Sequence, residues 1–370
     1  MRLPSCTSFS SASPCRACSA GENNTLRCIE EAESVHERIG LTLGKFAPFH
    51  KGHQLLVETA LAEMDRVIVV IYDCPDTTPV PLPVRANWIR RLYPAAEVLE
   101  AWDGPAETGY TADIMRKQER YILELLGDRQ VTHCYSSELY GEHMSEALGA
   151  ANRQVDRDRV RIAVSGTAVR AAPFEKRHLV DPLVYADLVA KVVFVGAPST
   201  GKTTIAEAMA KRMKTVWMPE YGREYWKRHQ VDRRLAPEQL ADIAEGHLER
   251  EETLVADARD YMFVDTNAIT TYMFALDYHG FALPRLRQLA ERAVPRYDLV
   301  FLCGDDIPYD DTVDRSGDQH RRTFQKKIVA DLLVRNVPFI PLYGSLEERM
   351  EKVETVLKRY AKYRSLGELV

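Results

Sequence analysis

The sequence predicts an α/β protein built from two doubly wound parallel sheets, one after the other along the chain. Three observations carry that expectation. Short β-branched runs alternate with helical stretches from about residue 40, and the alternation restarts at Lys191. Each half also opens with a glycine-containing loop between a strand and a helix. A chain of 370 residues can bury two such cores.

The elements follow in order. Residues 41–43 lead into the first loop, and Leu55, Leu56, Ala60 and Leu61 mark the helix after it. Residues 66–72 (RVIVVIY) form a short, β-branched apolar run, as expected of a buried parallel strand. Helices are expected over 85–92, stopped by Pro94, and over 112–126. Residues 131–135 and 160–164 read as the next strands. The second half begins with the strand 191–195, and 261–265, 299–302 and 337–342 continue it. A boundary falls near Asp181-Pro182, dividing the chain into a tail (1–39), a first domain (40–186) and a second (187–370). With no Gly/Ser linker between them, the two domains are expected to touch.

Composition narrows the function classes. At 45% hydrophobic, 28% charged and a formal net charge of −5, the chain is not a general nucleic-acid coat. No apolar run approaches the roughly 18 residues of a membrane span, so no membrane insertion is expected. Four of the seven cysteines fall in the first 28 residues. Cys15 and Cys18 have zinc-like spacing, but no second pair follows at finger distance. The first 25 residues lack the apolar stretch of a secretory signal, which predicts a cytoplasmic protein.

The second loop reads Gly196-Ala197-Pro198-Ser199-Thr200-Gly201-Lys202-Thr203, after a strand and before a helix. That context defines a P-loop, in which glycines let backbone N–H groups curl around a β-phosphate. Gly196, Ser199, Thr200, Gly201, Thr203 and Thr204 are therefore candidates to bind ATP. Lys202 reaches for the β- and γ-phosphates, and Thr203 offers a hydroxyl to Mg²⁺. Asp265 ends an apolar strand, the place for a second Mg²⁺-holding acid. Glu220 follows the short run 215–218 and is a candidate base or anchor for an acceptor hydroxyl. Residues 305–322 mix carboxylates, Tyr309 and several arginines around Gly317, as in a mobile lid. Arg315, then Arg322, are the candidates to neutralise charge on a transferring phosphoryl group.

The first loop, Gly44-Lys45-Phe46-x-Pro48-x-His50-x-Gly52-His53, places two histidines at a helix start, where free N–H groups point outward. It resembles the signature of the nucleotidylyltransferase superfamily. Gly44, Lys45, Phe46 and Gly52 become candidates to bind nucleotide, and His50 and His53 to stabilise charge during adenylyl transfer. A second mark of that superfamily is matched by Val164-Ser165-Gly166-Thr167-Ala168-Val169-Arg170. There Ser165 and Thr167 would hold phosphate oxygens and Arg170 the triphosphate. The first half is thus expected to be Rossmann-like and the second a P-loop kinase.

Both halves in this order resemble the bifunctional nicotinamide-nucleotide adenylyltransferase/ribosylnicotinamide kinase family, the NadR-like proteins, over roughly residues 40–365. The block Glu220-Tyr221-Gly222-Arg223-Glu224-Tyr225, the stretch Val264-Asp265-Thr266-Asn267 and the lid residues 308–317 carry the resemblance further. It implies phosphorylation of nicotinamide riboside to nicotinamide mononucleotide, then adenylyl transfer from ATP to give NAD and pyrophosphate. ATP is a substrate of both steps, with Mg²⁺. Arg223 and Tyr309 are implied to bind the riboside, Tyr309 standing where relatives often carry Trp. Ser136 to Gly141 resembles the segment lining the mononucleotide site. Enteric members begin with a helix-turn-helix domain, for which the first 40 or so residues here are too few, so DNA binding is not expected. A homo-oligomer is left open. Two other readings stand beside this one: a fusion for another acceptor, such as phosphopantetheine, and an NAD-sensing regulator without turnover. The Glu220–Tyr225 block speaks against the first, and intact His50, His53, Lys202 and Thr203 against the second.

Overall fold

The computed structural model describes residues 37–105, 109, 111–229, 235–308 and 318–364. The expected tail, including Cys15 and Cys18, lies outside them apart from residues 37–39, and so do Tyr309 and Arg315.

The first half runs β1 (Ile39–Gly44), α1 (Lys51–Glu63), β2 (Arg66–Tyr72), α2 (Leu82–Leu92), β3 (Ala96–Ala101) and α3 (Ala112–Leu126). It continues with β4 (His133–Ser136), α4 (Tyr140–Leu148), β5 (Ala151–Gln154) and α5 (Gly166–Ala171). Its strands form one parallel sheet in the order β3-β2-β1-β4-β5. After β3 the chain crosses from one side of β1 to the other, so the carboxyl ends of β1 and β4 face a topological switch point. β2 is buried from Val67 to Ile71, which is why its sequence shows no polar alternation.

Helix α6 (Pro182–Leu188), capped by the Asp181 carboxylate accepting from the Leu183 N–H at 2.9 Å, leads into the second half. That half comprises β6 (Ala190–Val195), α7 (Lys202–Met213), β7 (Trp217–Met218), α8 (Tyr221–His229) and α9 (Pro237–Leu254). Then come β8 (Tyr261–Asp265), α10 (Ala268–His279), α11 (Pro284–Ala293), β9 (Leu299–Cys303), α12 (Asp318–Val334), β10 (Ile340–Leu342) and α13 (Leu346–Arg359). A second parallel sheet results, ordered β10-β9-β6-β8-β7 with β6 at its centre. The α/β class with two parallel sheets is as the sequence predicts.

One expected strand is corrected. Residues 160–164 join no sheet, and the fifth strand is Ala151–Gln154. That segment is an edge strand with three exposed residues, so it carries no apolar pattern. The stretch beyond it is held as a loop because the Asp156 carboxylate accepts from the Arg161 and Ile162 N–H groups, both at 2.9 Å.

The two halves are joined through packed side chains. Val184 of α6 belongs to the first half's core, while Tyr185 and Val189 belong to the second's. The buried Trp88 donates its Nε1–H to Asp187 at 2.8 Å. Within the second half, buried Glu251 accepts from the Tyr297 hydroxyl at 2.7 Å and from Arg296 Nε at 2.8 Å, with His247 at 3.1 Å. A buried carboxylate needs such partners, and its pKa stays below the usual range despite its burial.

Candidate functional site

Two candidate sites form, each at the carboxyl end of its sheet's central strand. In the first half β1 ends at Gly44, whose position leaves little space: a Cβ there would lie 3.3 Å from the Phe46 ring. The chain turns through Phe46 in left-handed backbone and reaches His50, the N-cap of α1. Here the sequence supplies a cap made of two histidines. The His53 N–H donates to His50 Nδ1 at 3.4 Å, and the His50 N–H donates to His53 Nδ1 at 3.3 Å. The rings stack with centroids 3.6 Å apart. Because both Nδ1 atoms accept, a neutral ring carries its proton on Nε2 and can donate it to an anion.

Electrostatics agree with neutral rings. Burial, followed by the charges of Arg159 and Arg170, lowers the His50 pKa to about 4. His53 too is held well below its ordinary value, by burial first and then by His50. Phe46 is buried beneath, edge-on to His53 at 5.0 Å, so its ring shapes the histidine pair from the core side. Gly52 is required by proximity: a Cβ would come within 3.2 Å of the His50 ring and 3.1 Å of Val164.

The second superfamily mark arrives beside this loop. Arg170 of α5 donates to the Ala47 carbonyl and, at 3.2 Å, to Thr167. Ser165 caps α5, accepting from Ala168 N–H at 3.2 Å. Gly166 permits the approach, since a Cβ there would meet the Ala47 carbonyl oxygen at 3.1 Å. Lys45 is exposed and donates to Thr77 at 3.2 Å. Tyr140 of the Ser136–Gly141 stretch donates its hydroxyl to the Leu43 carbonyl at 2.7 Å, which brings that stretch to the end of β1. His50, His53, Gly44, Lys45, Gly52, Ser165, Thr167 and Arg170 thus converge.

In the second half the loop after β6 takes the form of a phosphate cradle. Gly196, Ser199 and Gly201 all have positive φ, at 142°, 58° and 82°. At Gly196 a Cβ would lie 2.8 Å from the Cys303 carbonyl oxygen. Lys202 bends back so that Nζ donates to the Ala197 carbonyl at 2.9 Å, and Thr200 donates to the same oxygen at 2.8 Å. Thr204, one position past Thr203, is exposed.

Around the start of α7 four predicted residues meet. Thr203 donates to Asp265 Oδ2 at 2.5 Å. Arg223 reaches both Thr203 Oγ1, at 3.4 Å, and Glu220, at 3.3 Å. Asp265 is fully buried, and its Oδ1 has no hydrogen-bond partner among the described residues. Burial, then the Glu220 charge, pushes its pKa up to about 6. An orphaned buried carboxylate oxygen costs about 1–3 kcal/mol. Beside a threonine hydroxyl it fits a hard divalent cation, whose remaining ligands would be phosphates and water.

Two supporting residues, Gln325 and Arg349, lie outside the sequence reading, and a third, Arg321, entered it only as part of the stretch 305–322. Gln325 of α12 accepts from the Ala197 N–H at 2.7 Å and donates to the Cys303 carbonyl at 2.9 Å, fixing the first turn of the cradle. Buried Arg349 of α13 donates to the Thr200 carbonyl at 2.8 Å and to Asp306 at 2.6 Å. Arg321 of α12 bonds the Ser199 and Ile307 carbonyls at 3.3 and 3.0 Å. Both arginines therefore tie the cradle to residues leading into the expected lid. Arg349 did leave a signal, since Arg349, Met350, Val353 and Leu357 fall on one helical face. Arg322, the second lid candidate, is exposed on α12.

Fold and sites together define a transferase-type α/β chain, nucleotidyltransferase-like in its first half and kinase-like in its second. Residues 41–172 match the cytidylyltransferase-like family and residues 191–349 the AAA domain family. The chain is a NadR homologue. It is 25% identical to the trifunctional NAD biosynthesis/regulator protein NadR of Escherichia coli (strain K12) over 322 residues, 82% of this chain and 78% of that one. With the Salmonella typhimurium protein of the same name it shares 26% over 324 residues, at the same coverages. The fold matches solved structures of NadR protein. The complex with NR gives a TM-score of 0.54 at 20% identity, and the complex with NAD and AMP-PNP gives 0.51 at 21%. Each covers 87% of this chain and 96% of the other. No described helix is long and apolar enough to cross a membrane.

Proposed function

We propose that the chain is a bifunctional enzyme of NAD biosynthesis that phosphorylates nicotinamide riboside and then adenylylates the product. The observation that carries this reading is the pair of phosphate loops of different design, each at the end of a central strand in one chain. The names of its relatives supply the metabolite. The dividing point we assign, between 186 and 187, falls inside α6. A cytoplasmic location belongs to the same reading.

In the kinase step the riboside hydroxyl attacks the γ-phosphorus of ATP, and the bond to the ADP oxygen breaks. Glu220 accepts or orients the hydroxyl proton, Arg223 holds the acceptor near Thr203, and Lys202 leaves the Ala197 carbonyl for the phosphates. Thr203 and Asp265 would hold Mg²⁺, which supplies charge neutralisation at the phosphates. In the adenylyl step a mononucleotide phosphate oxygen attacks the α-phosphorus of ATP, and pyrophosphate leaves. No side-chain nucleophile is needed. His50 and His53 donate through Nε2–H to phosphate oxygens, while Lys45 and Arg170 offset charge on the triphosphate.

Incubation with riboside, ATP and Mg²⁺, followed by chromatography, tests both steps at once. The expected products are ADP, mononucleotide, NAD and pyrophosphate. ADP release only with a different acceptor would favour a fusion of other specificity, and tight nucleotide binding without products would favour a sensor.

A further inference from the structure

We infer that the chain's last described residues, 360–364, are a strap from the kinase half that positions the adenylyl-transfer site of the other half. This rests on the function proposed above for that site. After α13 the strap is anchored on the second half, where the Tyr360 hydroxyl donates to Asp298 at 3.2 Å. Lys362 Nζ then donates to the Val189 carbonyl at 2.8 Å, just past α6. Tyr363 crosses over: its hydroxyl donates to the Asp187 carbonyl at 3.1 Å, and its ring packs against the first half's core. Its backbone is left-handed, with φ at 69°, a conformation that persists for a tyrosine only where its surroundings over-determine it.

What the ring touches gives the strap its purpose. Tyr363 lines two cavities, of about 390 and 250 Å³, and Thr78, Pro79 and Val80 line both with it. The smaller cavity is also lined by Pro48 and Arg170, so strap and histidine loop border the same space. The loop 73–81 is bound on its far side to that same site. Thr77 accepts from Lys45, and Val80 accepts from Arg85 Nε at 3.0 Å. Arg85 is fully buried and also donates to the Lys45 and Tyr72 carbonyls. Tyr363 and residues 78–80 therefore line the same two cavities, and Thr77 of that loop is bonded to Lys45. Spatial continuity suggests coupling, and only perturbation measures it.

The test uses the full-length chain with Tyr363→Ala, which removes the wall, and Tyr363→Phe, which keeps the ring and loses only the hydroxyl bond. Tyr363→Ala is expected to raise KM for ATP in adenylyl transfer by roughly fivefold, in the range of coupling through intermediate residues. Riboside phosphorylation is expected to stay at the wild-type rate, and Tyr363→Phe to restore KM. Amide hydrogen exchange read by mass spectrometry should accelerate over 73–81 in the Ala variant but not over β6, β8 and β9. Unchanged KM together with unchanged exchange would overturn the inference. So would equal loss of both activities with KM unaltered, the mark of plain structural glue. Should Tyr363→Ala fail to fold, Tyr363→Leu reads the same quantities. A wild-type chain that makes no dinucleotide sinks the proposed function instead, and exchange over 73–81 then decides the strap alone.

Discussion

The first half builds its candidate anion site with side chains, whereas the second builds its own with backbone. At His50 and His53 two imidazoles cap α1 and leave their Nε2–H groups as donors, with burial keeping both rings neutral. At Gly196–Lys202 three positive-φ residues curve the main chain itself, and the Lys202 side chain bends back over it. The difference teaches where each site is vulnerable. A cap of side chains can be edited one residue at a time and is sensitive to acid. A cradle of backbone tolerates few substitutions, because glycine is required by geometry.

The largest test of that contrast is Lys202→Ala. Removing the Lys202 ammonium from the cradle is expected to lower riboside phosphorylation by at least about 10²–10³-fold, while adenylyl transfer from supplied mononucleotide keeps its rate. Equal loss of both activities in a folded variant would end the two-site account. Next comes His53→Ala, expected to cost about 10²-fold in adenylyl transfer and nothing in the kinase step. Steady-state rates with each substrate pair decide it, and near-normal NAD synthesis would reduce His53 to a helix cap.

A smaller effect separates the sites by pH. The unfolded chain protonates His50 near its ordinary value of 6.5, but the folded chain does so only near 4. The folded state therefore binds fewer protons in that window, and stability falls as pH drops from about 6.5 to about 4. His50→Asn keeps a cap-competent side chain and removes the titration, so it is expected to flatten the acid limb of a melting-temperature profile by about 1–2 kcal/mol. An unchanged limb would mean that His50 is not the acid-sensitive group.

The smallest expected effect has the opposite sign. Asp265 has its folded pKa raised to about 6, so the folded state holds that proton more tightly than the unfolded one. Its contribution to stability is present at low pH and is lost as pH rises toward and past 6. Asp265→Asn retains an acceptor for Thr203 and removes the buried charge. It should raise the melting temperature at pH 8 by roughly 3 °C, about 1 kcal/mol. A fall in melting temperature would show that the carboxylate is stabilising as it stands.

How much of this was legible in the sequence follows from what each residue must do. β2 was readable because both its faces are buried, which leaves a run of Val and Ile with no polar break. β5 was not: an exposed edge strand of Ala, Asn, Arg and Gln has no reason to look apolar. Residues 160–164 read as a strand because Val, Ile and Val recur there, yet Val160 is 85% exposed, Arg161 and Ala163 are exposed too, and only Val164 is buried. Both phosphate loops were legible because the chemistry demands Gly, Lys, Thr and His at set spacing. Their supports were not, since Gln325 and Arg349 arrive from more than a hundred residues away. Only the finished fold shows which polar side chains on those helices turn toward the cradle.

Helix α6 has a consequence for how such a chain could be inherited. Val184 fills one core and Tyr185, its neighbour, fills the other, while Trp88 reaches across to Asp187. A gene divided at this helix would leave each product with an open hydrophobic seam and a severed helix. The two catalytic units are therefore not interchangeable cassettes. Recombination that swaps either one must carry α6 with it and must find, on the other side, a surface already shaped to receive it.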